Sequence, residues 1–300
     1  MVFFTFHSTP DLNMEGTMGD VLTLGLTPRV DEAIKPAELI QVRGHEPLTL
    51  NARRMITLLW HNAHMQGVEE GRRYTVEIDA LKPMGHKGYE MIEEGIEQLM
   101  RTLLVVQLPS GKTRRVQFLG GNDLDSPDRP AGVLTYSFDA MLIEILEKSS
   151  VWGKIALPVL MAFTSKYAIS LYENVSQFVN LAYKTSTEFT LEEFRSMLGV
   201  PEDKYPAFGE FNKHVLKPAV AEVNALASFG LSVAPVKQGK KVVRVKVGWY
   251  RKSIEELKTA YAEVQRPKIG RRARILGTVE HVLAPAPSEA RVRRRAPKPS

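Results

Sequence analysis

The strongest pattern of apolar and polar positions in this chain lies at residues 205–249. Apolar residues recur there at three- and four-residue steps, which predicts one helix with a single buried face: Phe208, Phe211, Val215, Ala219, Val220 and Val223. Beyond Gly230 the period changes to two, and Val243, Val245, Val247 and Trp249 alternate with polar residues and glycine. Such alternation is typical of a half-buried strand, whose partner we expect at residues 231–236 across a turn at Gln238-Gly239.

The tip of this predicted hairpin carries three lysines: Lys237, Lys240 and Lys241. A helix followed by a basic hairpin is typical of a winged helix, in which the helix enters a DNA groove and the hairpin, or wing, contacts phosphates. Residues 205–252 contain nine lysines and arginines against Glu210 and Glu222. A surface that only keeps a domain soluble normally mixes both signs of charge. The pattern therefore favours DNA binding over a merely solvated surface.

The first half of the chain predicts a similar order of elements. Residues 48–65 have helical periodicity, and Thr49 or Asn51 can cap the start of that helix. Residues 89–103 predict another helix, and residues 104–119 a hairpin that turns at Pro109-Ser110-Gly111. We therefore expect an α+β, predominantly helical fold with two tandem winged-helix domains.

Composition and pattern together divide the chain into four expected segments. These are a loosely ordered leader at 1–35, a first winged-helix domain at 36–150, a second at 151–264 that ends in its own helix, and a basic disordered tail at 265–300. The second domain is expected to open with a helix over residues 161–183. Its next helix begins at Thr190, which can form a capping box with Glu193.

Overall composition restricts where the protein works. The chain has no cysteine, and no apolar run approaches the length of a membrane span, so we expect a cytoplasmic protein without membrane contact. The formal net charge of +6 is misleading, because residues 265–300 alone carry ten lysines and arginines against two glutamates and leave the rest of the chain slightly acidic. Any nucleic-acid surface of the folded part must therefore be a local patch.

Two motifs make a family resemblance specific. They are Ser165-Lys166-Tyr167-Ala168-x-x-Leu171-Tyr172-Glu173 and Phe208-x-x-Phe211-x-x-x-Val215-Leu216-x-Pro218-Ala219-x-x-Glu222-Val223-Asn224, the latter followed by the basic hairpin. They resemble the second DNA-binding domain of plasmid replication initiators, the iteron-binding Rep proteins of theta-replicating plasmids. Residues 48–54 resemble the opening helix of the first domain of those initiators. A proline inside a helix costs about 3 kcal/mol, so propensity alone would end the helix near Leu216, whereas the resemblance implies a continuous or kinked helix.

The resemblance implies a bacterial, plasmid-associated protein that binds directly repeated double-stranded sites at an origin. Such an initiator promotes opening of the duplex, recruits host replication proteins, exchanges between monomer and homodimer, and can repress its own gene. The alternative on the same scaffold is a transcriptional repressor without a role in initiation. An assembly protein whose basic surfaces contact acidic partners is a third interpretation.

The recognition helix presents Asn212 and Lys213 near its start, where side chains usually reach base edges. Lysine can donate to guanine and asparagine can pair with adenine. In the first domain the hairpin is expected to contact phosphates or to pair with a second copy through an edge strand. The candidate DNA-binding residues are Lys87, Arg101, Lys112, Arg114, Arg115, Lys166, Lys204, Asn212, Lys213, Lys217, Lys237, Lys240, Lys241 and Arg244.

We expect no catalytic activity, no metal and no cofactor. Rolling-circle initiators, which nick DNA through a tyrosine, need two histidines that flank one hydrophobic residue, and no H-x-H occurs in this chain. His61 and His64 are close enough on one helix to share a metal, but no further ligand has supporting spacing. We therefore expect both to be surface histidines.

Overall fold

The computed structural model of the chain describes residues 21–41, 47–82, 89–107, 111–126, 132–181 and 184–278. Its elements form two successive units. After a 3₁₀ turn at Thr23–Gly25, the first unit consists of β1 (Glu32–Pro36), α1 (Ala37–Ile40), α2 (Leu50–Gln66), β2 (Tyr74–Glu77), α3 (Ile78–Leu81), α4 (Glu90–Arg101), β3 (Leu103–Gln107), β4 (Thr113–Gln117), β5 (Asn122–Leu124), β6 (Val133–Tyr136) and α5 (Ala140–Glu147). The α2 helix begins at Leu50, two residues after the predicted start, and its cap is Thr49, one of the two predicted caps, whose hydroxyl accepts a hydrogen bond from the Ala52 amide at 3.2 Å.

The core of the first unit forms around α2. This helix buries Trp60 against the ring of Phe138, and Phe138 in turn packs against the rings of Tyr74 and Tyr136. The Tyr136 hydroxyl donates to the Leu59 carbonyl at 2.6 Å, so the polar end of that buried ring has a partner. Strands β2, β6 and β5 form one antiparallel sheet, whereas β3 and β4 pair with each other as a separate hairpin. The order α2, α3, α4 and hairpin is that of a winged helix.

The second unit has the same plan with a fuller sheet. It consists of β7 (Trp152–Ala156), α6 (Leu157–Ala162), α7 (Lys166–Ser176), β8 (Ser186–Thr190), α8 (Leu191–Met197), α9 (Phe208–Phe211), α10 (Lys217–Leu226), β9 (Phe229–Gln238), β10 (Lys241–Arg251), α11 (Ile254–Gln265) and α12 (Arg271–Ile275). The sheet has the order β8-β10-β9, and Val245 and Val247 of β10 pack into one core with Phe194 and Phe211. The predicted α+β fold with two tandem winged helices is confirmed.

A π-helical turn at Asn212–Leu216 carries the helix from α9 into α10 through Pro218. The Lys217 amide donates to the Asn212 carbonyl, five residues back. In a regular α-helix the proline ring clashes with the carbonyl four residues back, and the wider turn relieves that conflict. From Phe211 to Val223, every fourth side chain is buried. This four-residue spacing is longer than the 3.6 residues per turn of a regular α-helix. The extra residue of the π turn therefore keeps them on one face.

The two units are joined by a small sheet and by a buried ion cluster. Strand β1 pairs antiparallel with β7 along its whole length. Glu173 on α7 lies with its Oε1 2.7 Å from Lys35 Nζ of β1 and with its Oε2 3.5 Å from an Arg53 guanidinium nitrogen of α2. All three side chains are buried, and burial lowers the pKa of Lys35 against the opposing effect of Glu173. Both strand pairing and charge therefore hold the first unit to the second.

The single helix expected over residues 161–183 is two helices, α6 and α7. The chain is extended at Phe163, and the Thr164 amide and hydroxyl both donate to Glu222 Oε1 at 2.6 Å. A new helix then begins with Ser165 as its cap. Because Glu222 belongs to α10, a tertiary contact accompanies this break, and local periodicity does not reveal it.

Folded elements also extend into both expected terminal segments. Strand β1 begins at Glu32, inside the expected leader, and α12 lies inside the tail that its composition predicts to be disordered. The Arg271 guanidinium anchors α12, because it is 2% exposed and donates to Glu263 Oε1 at 3.1 Å. Residues 1–20 and 279–300 lie outside the described residues.

His61 and His64 are not surface residues, contrary to the expectation from their spacing. Both are buried on α2, where the backbone of Val30 and Ile34 lies against the imidazoles. Burial lowers the pKa of both histidines, so the neutral forms are favoured. None of the helices in the described part of the chain combines the length and the apolar character that crossing a bilayer requires.

Candidate nucleic-acid interface

The continuous α9–α10 helix presents its cations to solvent. Lys213 and Lys217 are exposed and one turn apart, and Asn212 is half-buried beside Lys213. Neither ammonium group forms an ion pair with a described residue. His214 is engaged within the protein, since its Nε2 lies 3.0 Å from Glu210 Oε2 and its ring stacks on Tyr205 at 5.6 Å. The solvent-facing side of this helix therefore offers two unpaired lysines beside an amide.

The loop before this helix is fixed by Arg195 of α8. The Arg195 guanidinium donates to the Tyr205 carbonyl at 2.7 Å and to the Lys204 carbonyl, and it lies over the Phe211 ring at 5.2 Å. Tyr205 has a φ of 51°, which a non-glycine side chain adopts only when its surroundings hold it there. The start of α9 is thus held in place, while the Lys204 ammonium is exposed and lies 3.7 Å from Asp203.

The β9–β10 hairpin is a long basic wing. Lys237, Lys240 and Lys241 are exposed at its tip, where Gly239 has a φ of 61°, a conformation that favours glycine. Arg244 is less available, because its Nε lies 3.1 Å from Glu188 of the neighbouring β8. Lys246 is a further exposed cation on the same face of β10 as Arg244, which strand alternation could have identified as a candidate.

Lys166, predicted from the first helix motif, is the first residue of α7. Its ammonium sits over the Tyr167 ring at 5.2 Å and is half-buried. Burial, and after it the charge of Arg53, lower the pKa of Lys166. The structure thus places Lys166 at the junction between the two units.

In the first unit, α4 occupies the position of the α9–α10 helix but has the opposite charge. Its exposed face carries four glutamates, Glu90, Glu93, Glu94 and Glu97. Arg101, at the end of α4, lies 3.3 Å from Glu97 and is paired within that helix. An acidic face repels DNA phosphates, so α4 is poorly suited to lie in a groove.

The candidate cations of the β3–β4 hairpin differ in availability. Lys112 and Arg115 are exposed. Arg114 is largely covered, and one of its guanidinium nitrogens lies 2.7 Å from Glu144 Oε2 on α5. Lys87 lies outside the described residues. The described part of the chain holds no group of three or more histidine, aspartate and glutamate residues arranged for a metal ion.

An exposed helix with unpaired lysines, followed by a lysine-tipped wing, is the surface of a nucleic-acid-binding winged-helix protein. Two family models match the chain: "Initiator Replication protein, WH1" over residues 32–176 and "Initiator Rep protein, WH2" over residues 190–249. Together they cover about two thirds of the sequence, and the chain belongs to the family of plasmid replication initiator proteins. The second model ends at Trp249, so α11 and α12 lie beyond it.

The solved structures support the fold independently. The chain is similar to the Pi initiator protein in a crystal structure of its complex with iteron DNA, with a TM-score of 0.54 and 19% sequence identity. The match covers 74% of this chain and 98% of the other. Among proteins of curated function, none matches this sequence.

Proposed function

We propose that this initiator binds directly repeated duplex sites, or iterons, at the origin of its replicon through its second winged helix. The α9–α10 helix enters the major groove, and the β9–β10 wing contacts the backbone. The observation that carries this assignment is the exposure of Lys213 and Lys217 without an ion-pair partner among the described residues. The Pi initiator, which shares the fold, is described in complex with iteron DNA, which supports the proposal.

The first unit adds contacts of a different kind. Because the exposed face of α4 is acidic, base readout falls to the second unit, and the first contacts phosphates through Lys112 and Arg115 at the tip of its hairpin.

The same hairpin supports a homodimer in equilibrium with the monomer. Strands β3 and β4 form a two-stranded sheet in the described part of the chain, and Leu103 and Val105 are exposed on β3. An open edge with exposed apolar side chains can pair with the same edge of a second copy. Such a dimer is two-fold symmetric and suits an inverted repeat, so repression of the initiator's own gene is the second candidate function.

Binding at iterons would promote opening of the adjacent duplex and recruit host replication proteins in the bacterial cytoplasm. We assign the chain no catalytic step of its own. The absence of an H-x-H motif from the full sequence supports this assignment against a tyrosine-dependent nicking enzyme.

A gel-shift titration on fragments of the source replicon at two salt concentrations tests the proposal. Successive shifted bands on a fragment with direct repeats, weakened by salt, are the expected result, because each repeat takes one copy and each copy releases counterions. A single shift confined to an inverted repeat at the promoter would favour the repressor. No salt-sensitive shift on any fragment would contradict both functions.

A further inference from the structure

Helices α11 and α12 form an extension that lies beyond the second winged-helix match. The Arg271 guanidinium fixes this extension to the fold. Besides Glu263 Oε1, it donates to the backbone carbonyls of Ala162, Glu263 and Arg266. Because one buried side chain joins α12 to the end of α6 and to the end of α11, the position of α12 is set before any ligand binds.

Docking of α12 leaves a surface cavity of about 490 Å³ beside Thr164, and this cavity is largely open to solvent. Three cations line it, Lys268, Arg271 and Arg272, and the described lining includes no carboxylate. The rest of the lining consists of the threonines at positions 164 and 278 and of Gly270, Ala273 and Leu276. An open cavity of this kind can be reached by a phosphate group on a larger molecule as well as by free phosphate.

Charge around the cavity is unbalanced. Two carboxylates that contact lining residues are engaged, since Glu222 accepts from Thr164 and Glu263 accepts from Arg271 and Arg274. Lys268 is exposed, and its ammonium group forms no hydrogen bond or ion pair with a described residue. Burial, then the charges of Arg54 and Arg271, lower the pKa of Lys268 to about 8 in spite of Glu222. An ammonium group that is surrounded by positive charge and has no hydrogen-bond acceptor interacts favourably with an anion.

We propose that this cavity binds a phosphate group, held by the ammonium of Lys268 and the guanidinium of Arg272. Phosphate oxygens form charge-assisted hydrogen bonds with both groups. Two sources share this chemistry: a phosphodiester of the bound duplex, and a free phosphate or nucleotide. The duplex as source rests on the proposed function, and packing of α12 against α10 places the cavity beside the helix that would enter the groove.

The first arm of the test uses duplex DNA and the full chain. Lys268→Gln and Arg272→Gln remove one cation each from the cavity, and Lys258→Gln is the matched control, because Lys258 is an exposed lysine on α11 that does not line it. Fluorescence anisotropy over a range of salt concentrations gives affinity and salt slope. We expect each cavity variant to weaken binding to all duplexes several-fold and to reduce the slope of log affinity against log salt by about one. Lys258→Gln should change neither.

The second arm uses inorganic phosphate without DNA. Thermal unfolding of the wild-type chain at pH 7 should shift upward with phosphate, relative to chloride at equal ionic strength, because a ligand that binds only the folded state stabilises it. Lys268→Gln should remove that shift, while Lys258→Gln keeps it. Melting in chloride checks folding, and Lys268→Gln should fold normally because the Lys268 ammonium bonds to no described residue and the substitution keeps the backbone carbonyl that accepts from the Arg271 amide.

The outcomes separate the two sources. Weaker DNA binding by the cavity variants assigns the site to a phosphodiester. Unchanged DNA binding with loss of the phosphate shift assigns it to a free phosphate. If Lys268→Gln and Lys258→Gln behave alike in both arms, the proposed site is wrong. A wild-type chain that binds no duplex would overturn the proposed function, yet a phosphate shift that depends on Lys268 would still support the site.

Discussion

At the scale of single residues, the basic side chains of this initiator divide into free and engaged ones. Lys213, Lys217 and Lys240 are exposed without a described ion-pair partner, whereas Arg114 and Arg244 are held by Glu144 and Glu188. A free exposed ammonium can approach a phosphate or a base without first breaking a bond within the protein. An engaged guanidinium must give up its carboxylate, which offsets part of what it would gain from DNA.

Lys213→Ala tests the base-reading role of the α9–α10 helix. We expect the variant to lose about 1–3 kcal/mol of specific binding and to discriminate less between the correct repeat and one with a substituted base pair. Anisotropy titrations against both duplexes measure this. Lys258→Ala, which removes an exposed lysine from α11, serves as the control. If Lys213→Ala leaves discrimination unchanged, another element reads the bases.

The lowered pKa of Lys268 predicts that the stability of the fold depends on pH. This pKa falls from the ordinary 10.5 to about 8 in the folded state, so between these pH values the unfolded chain binds a proton that the folded chain has lost. The free energy of unfolding of the wild type, relative to Lys268→Gln, should therefore rise as the pH increases from 8 to 10.5. Urea titrations at several pH values measure the difference. A constant or falling difference would show that the pKa of Lys268 is not lowered in the folded chain.

The sequence identifies the cations but not their partners. Arg114 is 30 residues from Glu144 and Arg244 is 56 residues from Glu188, so no local pattern reveals that these charges are engaged. The burial of His61 and His64 likewise depends on a segment some thirty residues upstream along the chain. Periodicity predicts which face of an element is buried in its own core. It does not predict which residues on the polar face are covered or paired by segments distant in sequence.

At the scale of elements, the α9–α10 helix and the β9–β10 wing are suited to different roles in DNA binding. The helix is fixed by its buried face, by the π turn and by Arg195, which suits it to positioning side chains at base edges. The wing projects lysines from a hairpin tip, which suits it to phosphates that are the same in every sequence.

Lys240→Ala tests this division. We expect the variant to bind all duplexes more weakly by a similar factor and to reduce the salt slope by about one, because one phosphate contact is lost. The ratio of specific to non-specific affinity should stay constant, in contrast to Lys213→Ala. A selective loss on the correct repeat would instead place Lys240 at a base edge.

Elements with a regular period are predictable from this sequence. The four-residue steps of the α9–α10 helix and the two-residue steps of β10 both appear in the structure at the expected residues. The π turn is different, because it follows from a conflict between Pro218 and the spacing of the buried side chains, and propensity alone would end the helix there. The break between α6 and α7 depends on Glu222 from a distant helix.

At the scale of the whole molecule, Glu173 connects the two winged helices. It lies on α7 of the second unit and is buried between Lys35 and Arg53 of the first, and the Lys35 ammonium also donates to the Thr57 hydroxyl at 2.8 Å. Two cations share one carboxylate away from water. Such an arrangement resists separation of the units, because separation would break bonds to two buried charges.

Glu173→Gln tests this connection. The substitution leaves Lys35 and Arg53 buried without a counter-charge, and we expect the free energy of unfolding to fall by about 3–5 kcal/mol. Urea denaturation followed by tryptophan fluorescence measures it. Glu255→Gln, at an exposed i,i+3 pair with Lys258, should change the free energy by less than about 0.5 kcal/mol. Similar effects of the two substitutions would mean that the buried cluster does not stabilise the joined units.

Site-directed DNA cleavage shows directly whether the α9–α10 helix lies on the repeats. The chain has no cysteine, and a side chain at Gly209, one turn before Lys213, meets open space. Gly209→Cys therefore accepts a DNA-cleaving iron chelate at a unique thiol, and Lys258→Cys on α11 is the control. We predict strand cleavage at one position within every repeat for Gly209→Cys and none at the repeats for Lys258→Cys. Uniform cleavage along the fragment, or stronger cleavage from residue 258, would contradict the assignment of the recognition helix.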